Sequence, residues 1–191
     1  MLSIRNKEPW VFWPTRVSPS FFDFPGNKAI GGKYNFKFEL DFTIRKTYED
    51  KSTIFSILPI YTSLNYYNEH MSNIDIHTEE GMAWSEIKDT IFINKKHKVT
   101  VENKVNGNFT AHIDGKEVIR AKNFSQVDDP QLLFGAGNFP WHNENHHYCD
   151  LDLHEFKMYH DNNLISHHLF EKFIYEKSFD LTENCNLIHK V

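Results

Sequence analysis

The chain has little that would staple or tether it. Only two of its 191 residues are cysteine, Cys149 and Cys185, too few for a disulfide framework or to fix the redox compartment. They either pair, with the tail around Cys185 docked on the body, or remain free buried thiols. No run of Lys or Arg is longer than the pair Lys95-Lys96, and 21 basic against 26 acidic residues give a net charge of −5. That balance lacks the positive footprint a phosphate backbone demands, so nucleic acid is not expected as a partner. No apolar run approaches the roughly 18 residues of a membrane span, so membrane insertion is not expected either. The opening residues MLSIRNKEPWVFWP have neither the apolar stretch nor the small-residue cleavage site of a signal peptide. Internal repeats, low-complexity tracts and linkers are missing too. Residues 1–191 therefore read as one domain, large enough to bury a core without metal or disulfide support.

What the chain does have is alternation. Phe36, Phe38, Leu40, Phe42 and Ile44 share one phase and Lys37, Glu39, Asp41, Thr43 and Arg45 the other, which predicts a strand with a core-facing side. Val99 and Val101, then Phe109, Ala111 and Ile113, alternate in the same way. Between and after them stand Asn106-Gly107 and Asp114-Gly115, the dipeptides of primed hairpin turns. Further strands are expected near Thr53 to Pro59, Ile74 to Thr78, Met82 to Trp84 and Thr90 to Ile93. In the closing strand Leu151 and Leu153 set one phase and Phe156 and Met158 the other. Either a bulge near His154-Glu155 reconciles them or the strand is buried on both sides. Residues 1–34, broken by Trp13-Pro14, Ser18-Pro19 and Pro25-Gly26, read as an irregular wrap. Leu169, Phe170, Phe173 and Ile174 repeat at helical spacing and predict a short helix over 166–176.

The run KVTVENKVNGNFTAHIDGKEVIRA, then QLLFGAGNF, then LDLHEFKMYHDNNLIS resembles the second half of laminin-G-like modules in the concanavalin A-like jelly-roll superfamily. The likeness covers residues 35 to 165. It implies an all-β, two-sheet antiparallel sandwich and a lectin-like taste for carbohydrate, with a calcium ion at a loop rim as the one cofactor it allows. No dense acidic loop marks such a rim, so the metal is unassigned.

Catalytic sets are incomplete. Jelly-roll glycosidases similar to laminarinases carry an acid-rich strand, because retention needs two carboxyls about 5–5.5 Å apart and residues two apart on a strand share a face. Glu39-Leu40-Asp41 begins that pattern, but Thr43 and Ile44 stand where the second glutamate belongs. Alginate lyases of this fold carry a Gln-Ile-His element, faintly similar to Asp75-Ile76-His77, but Phe139 occupies the place of their proton-delivering tyrosine. Asp75, His77 and Glu79, spaced two apart, would share one strand face as a sugar-hydroxyl clamp, acid-base pair or metal site.

The loop Trp141-His142-Asn143-Glu144-Asn145-His146-His147 combines a flat ring with amides, a carboxylate and imidazoles, the groups that stack on a pyranose and fork its hydroxyls. With Cys149 and His154 its histidines also have spacing compatible with zinc, diluted by the 12 histidines of the chain. Tyr66-Tyr67-Asn68 and Met82-Ala83-Trp84 are further candidates for exposed aromatics. The expected ligand-facing set is Trp84, Trp141, His142, Asn143 and Glu144, supported by Asp75 and His77, with no catalytic residue. The reading that joins these features is a non-catalytic module whose partner is a glycan or polysaccharide. A structural or adhesion domain of a phage particle or cell-surface assembly, with protein partners, is the second reading, and a polysaccharide lyase or glycoside hydrolase the third. The absence of a signal peptide leads to a cytoplasmic or virion-associated location.

Overall fold

The structure is a computed structural model that describes residues 2–4, 10–12, 35–48, 50–58, 62–78, 81–105, 107–122, 131–135, 137–138, 145–147, 149–169, 177–178 and 187–189. Its strands are β1 (Leu2–Ile4), β2 (Trp10–Phe12), β3 (Phe36–Thr47), β4 (Ser52–Leu58), β5 (Thr62–Asn68), β6 (Met71–Thr78), β7 (Gly81–Lys88), β8 (Lys96–Asn103) and β9 (Asn108–Ile113). They continue with β10 (Lys116–Lys122), β11 (Gln131–Phe134), β12 (Gly137–Asn138), β13 (Asn145–His146), β14 (Cys149–His160), β15 (Asn163–Leu169), β16 (Lys177–Ser178) and β17 (Leu187–His189). One sheet runs β1-β14-β3-β8-β9-β10, with β15 also paired to β14; the other runs β16-β17-β2-β11-β4-β5-β6-β7, and β12 and β13 form a small ribbon. Every pairing is antiparallel. The expected all-β, two-sheet sandwich is what the chain forms.

The alternation of β3 explains the core. Phe36, Phe38, Leu40, Phe42 and Ile44 are buried, as are Val99, Val101, Phe109, Ala111 and Ile113 on β8 and β9. Edge-to-face rings tie the two sheets together: Phe38 of β3 meets Phe55 of β4 at 5.3 Å, and Phe134 of β11 meets Phe156 of β14 at 5.7 Å. Each such side chain contributes about 1.5–3 kcal/mol by leaving water. Asp114 and Gly115, at φ 50° and 83°, make the primed turn that joins β9 to β10. On β14 the register against β3 slips between Leu153 and Glu155. The bulge lets Leu151 and Leu153 before it and Phe156 and Met158 after it all reach the core. Cys149 to Leu153 are also buried on both faces, so both expectations for this strand hold, each in its own half.

One expectation fails in part and one outright. Residues 166–169 of the expected helix belong to β15, and 170–176 lie outside the described residues. Asp161 and Asn162, at φ 46° and 66°, turn the chain back along the free edge of β14, and a ladder of backbone bonds outweighs a helical spacing of apolar residues. Thr90 to Ile93 is not a strand. Its polar groups are used locally: Thr90 Oγ1 donates to Lys88 O at 2.7 Å, Phe92 N–H to His97 Nε2 at 3.0 Å, and Lys95 N–H back to Phe92 O at 3.4 Å. Within 1–34, β1 extends the first sheet beside β14 and β2 enters the second between β17 and β11.

Candidate functional site

Strands β4 to β7 are successive antiparallel neighbours, and their register lines polar residues up across the sheet. Ser56, Ser63, Asp75 and Trp84 form one row; Thr53, Asn65, Asn73 and Glu86 form the next. Phe55, Leu64 and Ile74, in the opposite phase, fill the core, so both rows belong to the outer face. The two-residue connection from Thr78 to Gly81, with Gly81 at φ 125°, fixes the pairing of Asp75 with Trp84.

Asn65 is the hub of this face. Wholly buried, it accepts from Thr53 Oγ1 at 2.8 Å, and its Nδ2 lies 2.9 Å from Ser63 Oγ, 3.0 Å from Asn73 Oδ1 and 3.0 Å from Asp75 Oδ2. Asn73 Nδ2 donates to Asp75 Oδ1 at 2.9 Å. Both oxygens of the Asp75 carboxylate are thus aimed by neutral amides, which fix its orientation. Burial pulls the Lys51 amine below its ordinary range against the opposing pull of Asp75, and burial followed by the Asp75 charge pushes the Tyr67 phenol up. Ser52 and Ser56 on β4 and Ser63 and Asn65 on β5 are covered, whereas Asn73 and Asp75 on β6 are half-buried, and on β7 Met82 and Trp84 are each 61 % exposed. The polar face opens towards β7 and ends at a bare indole.

The ribbon of β12 and β13 is rooted at the same hub. Thr53 N–H donates to His147 O at 2.6 Å and Cys149 Sγ donates to Thr53 O at 3.1 Å, so the segment leading into β14 is bonded to β4 at Thr53. Gly137 pairs with His146 and Asn138 with Asn145. Between them the sequence holds Trp141, His142, Asn143 and Glu144, which lie outside the described residues.

Solved structures similar in shape include sandwiches named for carbohydrate ligands. A CBM40 module of a Ruminococcus gnavus sialidase superposes with a TM-score of 0.52 at 9% identity, over 79% of this chain and 88% of that one. The ligand-binding domain of botulinum neurotoxin serotype D, in complex with N-acetylneuraminic acid, gives 0.50 at 18% identity, over 74% of this chain and 35% of that one. An alginate lyase of polysaccharide lyase family 7 gives 0.49 at 8% identity, over 82% and 64%. No family model and no curated protein sequence matches the chain. The shared property is the fold. At these identities the sandwich is shared with the Ruminococcus gnavus module and the toxin domain, and the site residues are not carried across.

Of the residues expected to face a ligand, Asp75 and Trp84 stand directly opposite each other, and His77 holds the register position opposite Met82. Glu79 lies outside the described residues. Tyr66, expected to be exposed, is 3 % exposed, because it falls in the core phase of β5, while Tyr67 in the outer phase is half-buried. Glu39 and Asp41 are held by lysines: Lys37 and Lys98 each reach Glu39 at 2.5 Å, and Lys96 reaches Asp41 at 2.7 Å. The histidine-cysteine set with zinc spacing is separated. Cys149 is a free thiol, buried, bonded to Thr53 and pushed far up by burial and then by Asp150, and His154 Nε2 lies 2.9 Å from Thr43 Oγ1. Among the described residues no three His, Cys, Asp or Glu side chains converge on a metal position. Sequence reasoning missed Ser63, Asn65 and Asn73; the alternation of Ser63, Asn65 and Tyr67 with Leu64 and Tyr66 was the available signal.

Proposed function

We propose that the chain is a non-catalytic carbohydrate-binding module whose ligand lies on the outer face of β6 and β7. The observation that carries this is the exposed Trp84 paired across the ladder with the amide-held Asp75. A flat indole offers the stacking surface for the apolar face of a pyranose, and a fixed carboxylate beside an amide offers acceptor and donor for adjacent hydroxyls. His77 supports this end of the face. Trp141, His142, Asn143 and Glu144, from the loop rooted beside Thr53, complete the set. The fold supports the reading, since the Ruminococcus gnavus module and the sialic-acid-bound toxin domain use sandwiches of this kind. The finer likeness to laminin-G-like modules, and with it a calcium ion at a loop rim, rests on the hairpin order alone. A chelator arm in the binding assay tests it: the metal-free account expects no change on adding EDTA.

A protein-contact role is the second reading, favoured by Met82 and Trp84 standing out from β7, the end strand of its sheet. A glycan array with wild-type protein and Trp84→Ala separates the two. The carbohydrate reading expects glycan hits that weaken on substitution by about 1–3 kcal/mol, roughly 5- to 150-fold, with an unchanged melting temperature. An array with no hits retires it in favour of protein contacts.

A further inference from the structure

The uncovered part of the second sheet is long and narrow, and that shape decides how a sugar chain lies on it, an inference that rests on the carbohydrate reading itself. Across the strands the exposed width is short. Ser63, which pairs with Asp75, and Asn65, which pairs with Asn73, are already covered, as is Ser56 beyond them. A ligand crossing the sheet is therefore stopped at β5, and on the other side β7 ends the sheet. What remains is the pair β6 and β7, whose backbones stand about 5 Å apart.

Along the strands the same face runs on. Directly opposite residues share one side of a sheet, and here the steps are Asp75 with Trp84, Asn73 with Glu86 and Met71 with Lys88, while Met82 continues the phase beyond Trp84. Met82, Trp84, Glu86 and Lys88 are exposed on β7, and Met71 is exposed at the far end of β6. From Met82 to Lys88 the lane is about 20 Å long at 3.4 Å per residue, more than one pyranose ring can fill. Apolar surface stands at both ends, Met82 with Trp84 at one and Met71 at the other, and Asn73, Asp75 and Glu86 lie between to meet hydroxyls. Trp84 fixes one ring by stacking. The flexible thioethers give further rings apolar contact without dictating their pose. We infer that the face takes a run of several sugar rings laid along β7, from Met82 to Met71, and not a single terminal sugar.

The methionines make the test direct, because Met71 and Met82 mark the two ends of the lane and Met158 is buried in the core. Methyl NMR of the full chain labelled at methionine, with signals assigned by Met71→Leu and Met82→Leu, is followed during titration with cello-, manno- and chito-oligosaccharides of one to six units. At least one series is expected to bind, its hexamer about tenfold or more tighter than its monomer. That hexamer should shift the Met71 and Met82 methyls together and saturably while Met158 stays fixed. Its dimer, seated at Trp84, should shift Met82 and leave Met71 in place. A monomer that binds as tightly as the hexamer overturns the inference and leaves the carbohydrate reading intact. A hexamer that saturably shifts only one of the two methyls does the same. Binding of no probe in any series defeats the carbohydrate reading and this inference with it.

Discussion

Glu39, Asp41 and Glu155 on one outer face of the sandwich are held differently from Asp75 on the other. There only Glu86, among the described acids of the outer rows, is paired with a lysine in the same manner, Lys88 at 3.2 Å. On the first sheet, Glu39 is gripped by Lys37 and Lys98, Asp41 by Lys96, and Glu155 by Lys157 and His167, both at 2.8 Å. On the second, Asp75 is held by Asn65, Asn73 and Ser63, and its cross-strand neighbour is the exposed Trp84. Ion pairs on a half-exposed face neutralise charge and contribute little stability. An amide-held carboxylate has its lone pairs fixed and leaves a polar group poised for an incoming hydroxyl. The first face is finished by its own side chains; the second is open at one edge.

The largest expected break in this contrast is at Asn65. Asn65→Ala removes the hub, strands Thr53 Oγ1 in a covered environment and takes one donor from Asp75. It should lower stability by about 3 kcal/mol, since an orphaned buried group costs about 1–3 kcal/mol and a hydrogen bond to a charged group contributes about 1.5–3 kcal/mol. Urea unfolding checks it; a change below 1 kcal/mol would show that water replaces the amide. Next comes Trp141→Ala, expected to weaken glycan affinity by about 1–3 kcal/mol at nearly constant stability. A large fall in melting temperature would instead make Trp141 a core residue.

The smallest effect is on the first face. Burial pushes the Glu39 carboxyl up, but hydrogen bonds and charge from Lys37 and Lys98 outweigh it and hold it below its ordinary value; Glu155 behaves likewise with Lys157 and His167. Groups depressed on folding stabilise the native state above the ordinary glutamate range of about 4.3 and lose that contribution as pH falls through the lower folded value. Glu39→Gln should therefore cost no more than about 1 kcal/mol at pH 7, and its difference from wild type should shrink towards pH 3. Unfolding curves at pH 7, 5 and 3 check the sign, and a difference that grows on acidification would reverse it.

The fold was legible where one face is apolar and the other polar, as in β3, and where glycine follows Asn or Asp. The bulge in β14 could be read because it shifts a clear phase. β5 was missed because Thr62, Ser63 and Asn65 are polar yet buried, so neither face of the strand advertises itself. Residues 166–169 of the expected helix are strand because Asp161-Asn162 is a hairpin turn without glycine, which composition alone does not mark. Asp75 and Trp84 were each noticed separately. Their pairing comes from the short Glu79-Glu80 connection, whereas the convergence of Asn65 and Asn73 on Asp75 depends on the register of three strands and on a slip between Thr53 and Phe55 that no local pattern announces.

The central claim is that sugar sits on the β6–β7 face, and side-chain NMR of the labelled protein during titration with a bound neutral oligosaccharide tests it most directly. The Trp84 indole N–H, assigned by its loss in Trp84→Phe, and the side-chain amide of Asn73 should shift together and saturably, while backbone signals of Lys37, Glu39 and Lys98 on the opposite face stay fixed. Saturable shifts confined to the Lys37–Glu39–Lys98 face, with Trp84 and Asn73 unmoved, would contradict the account.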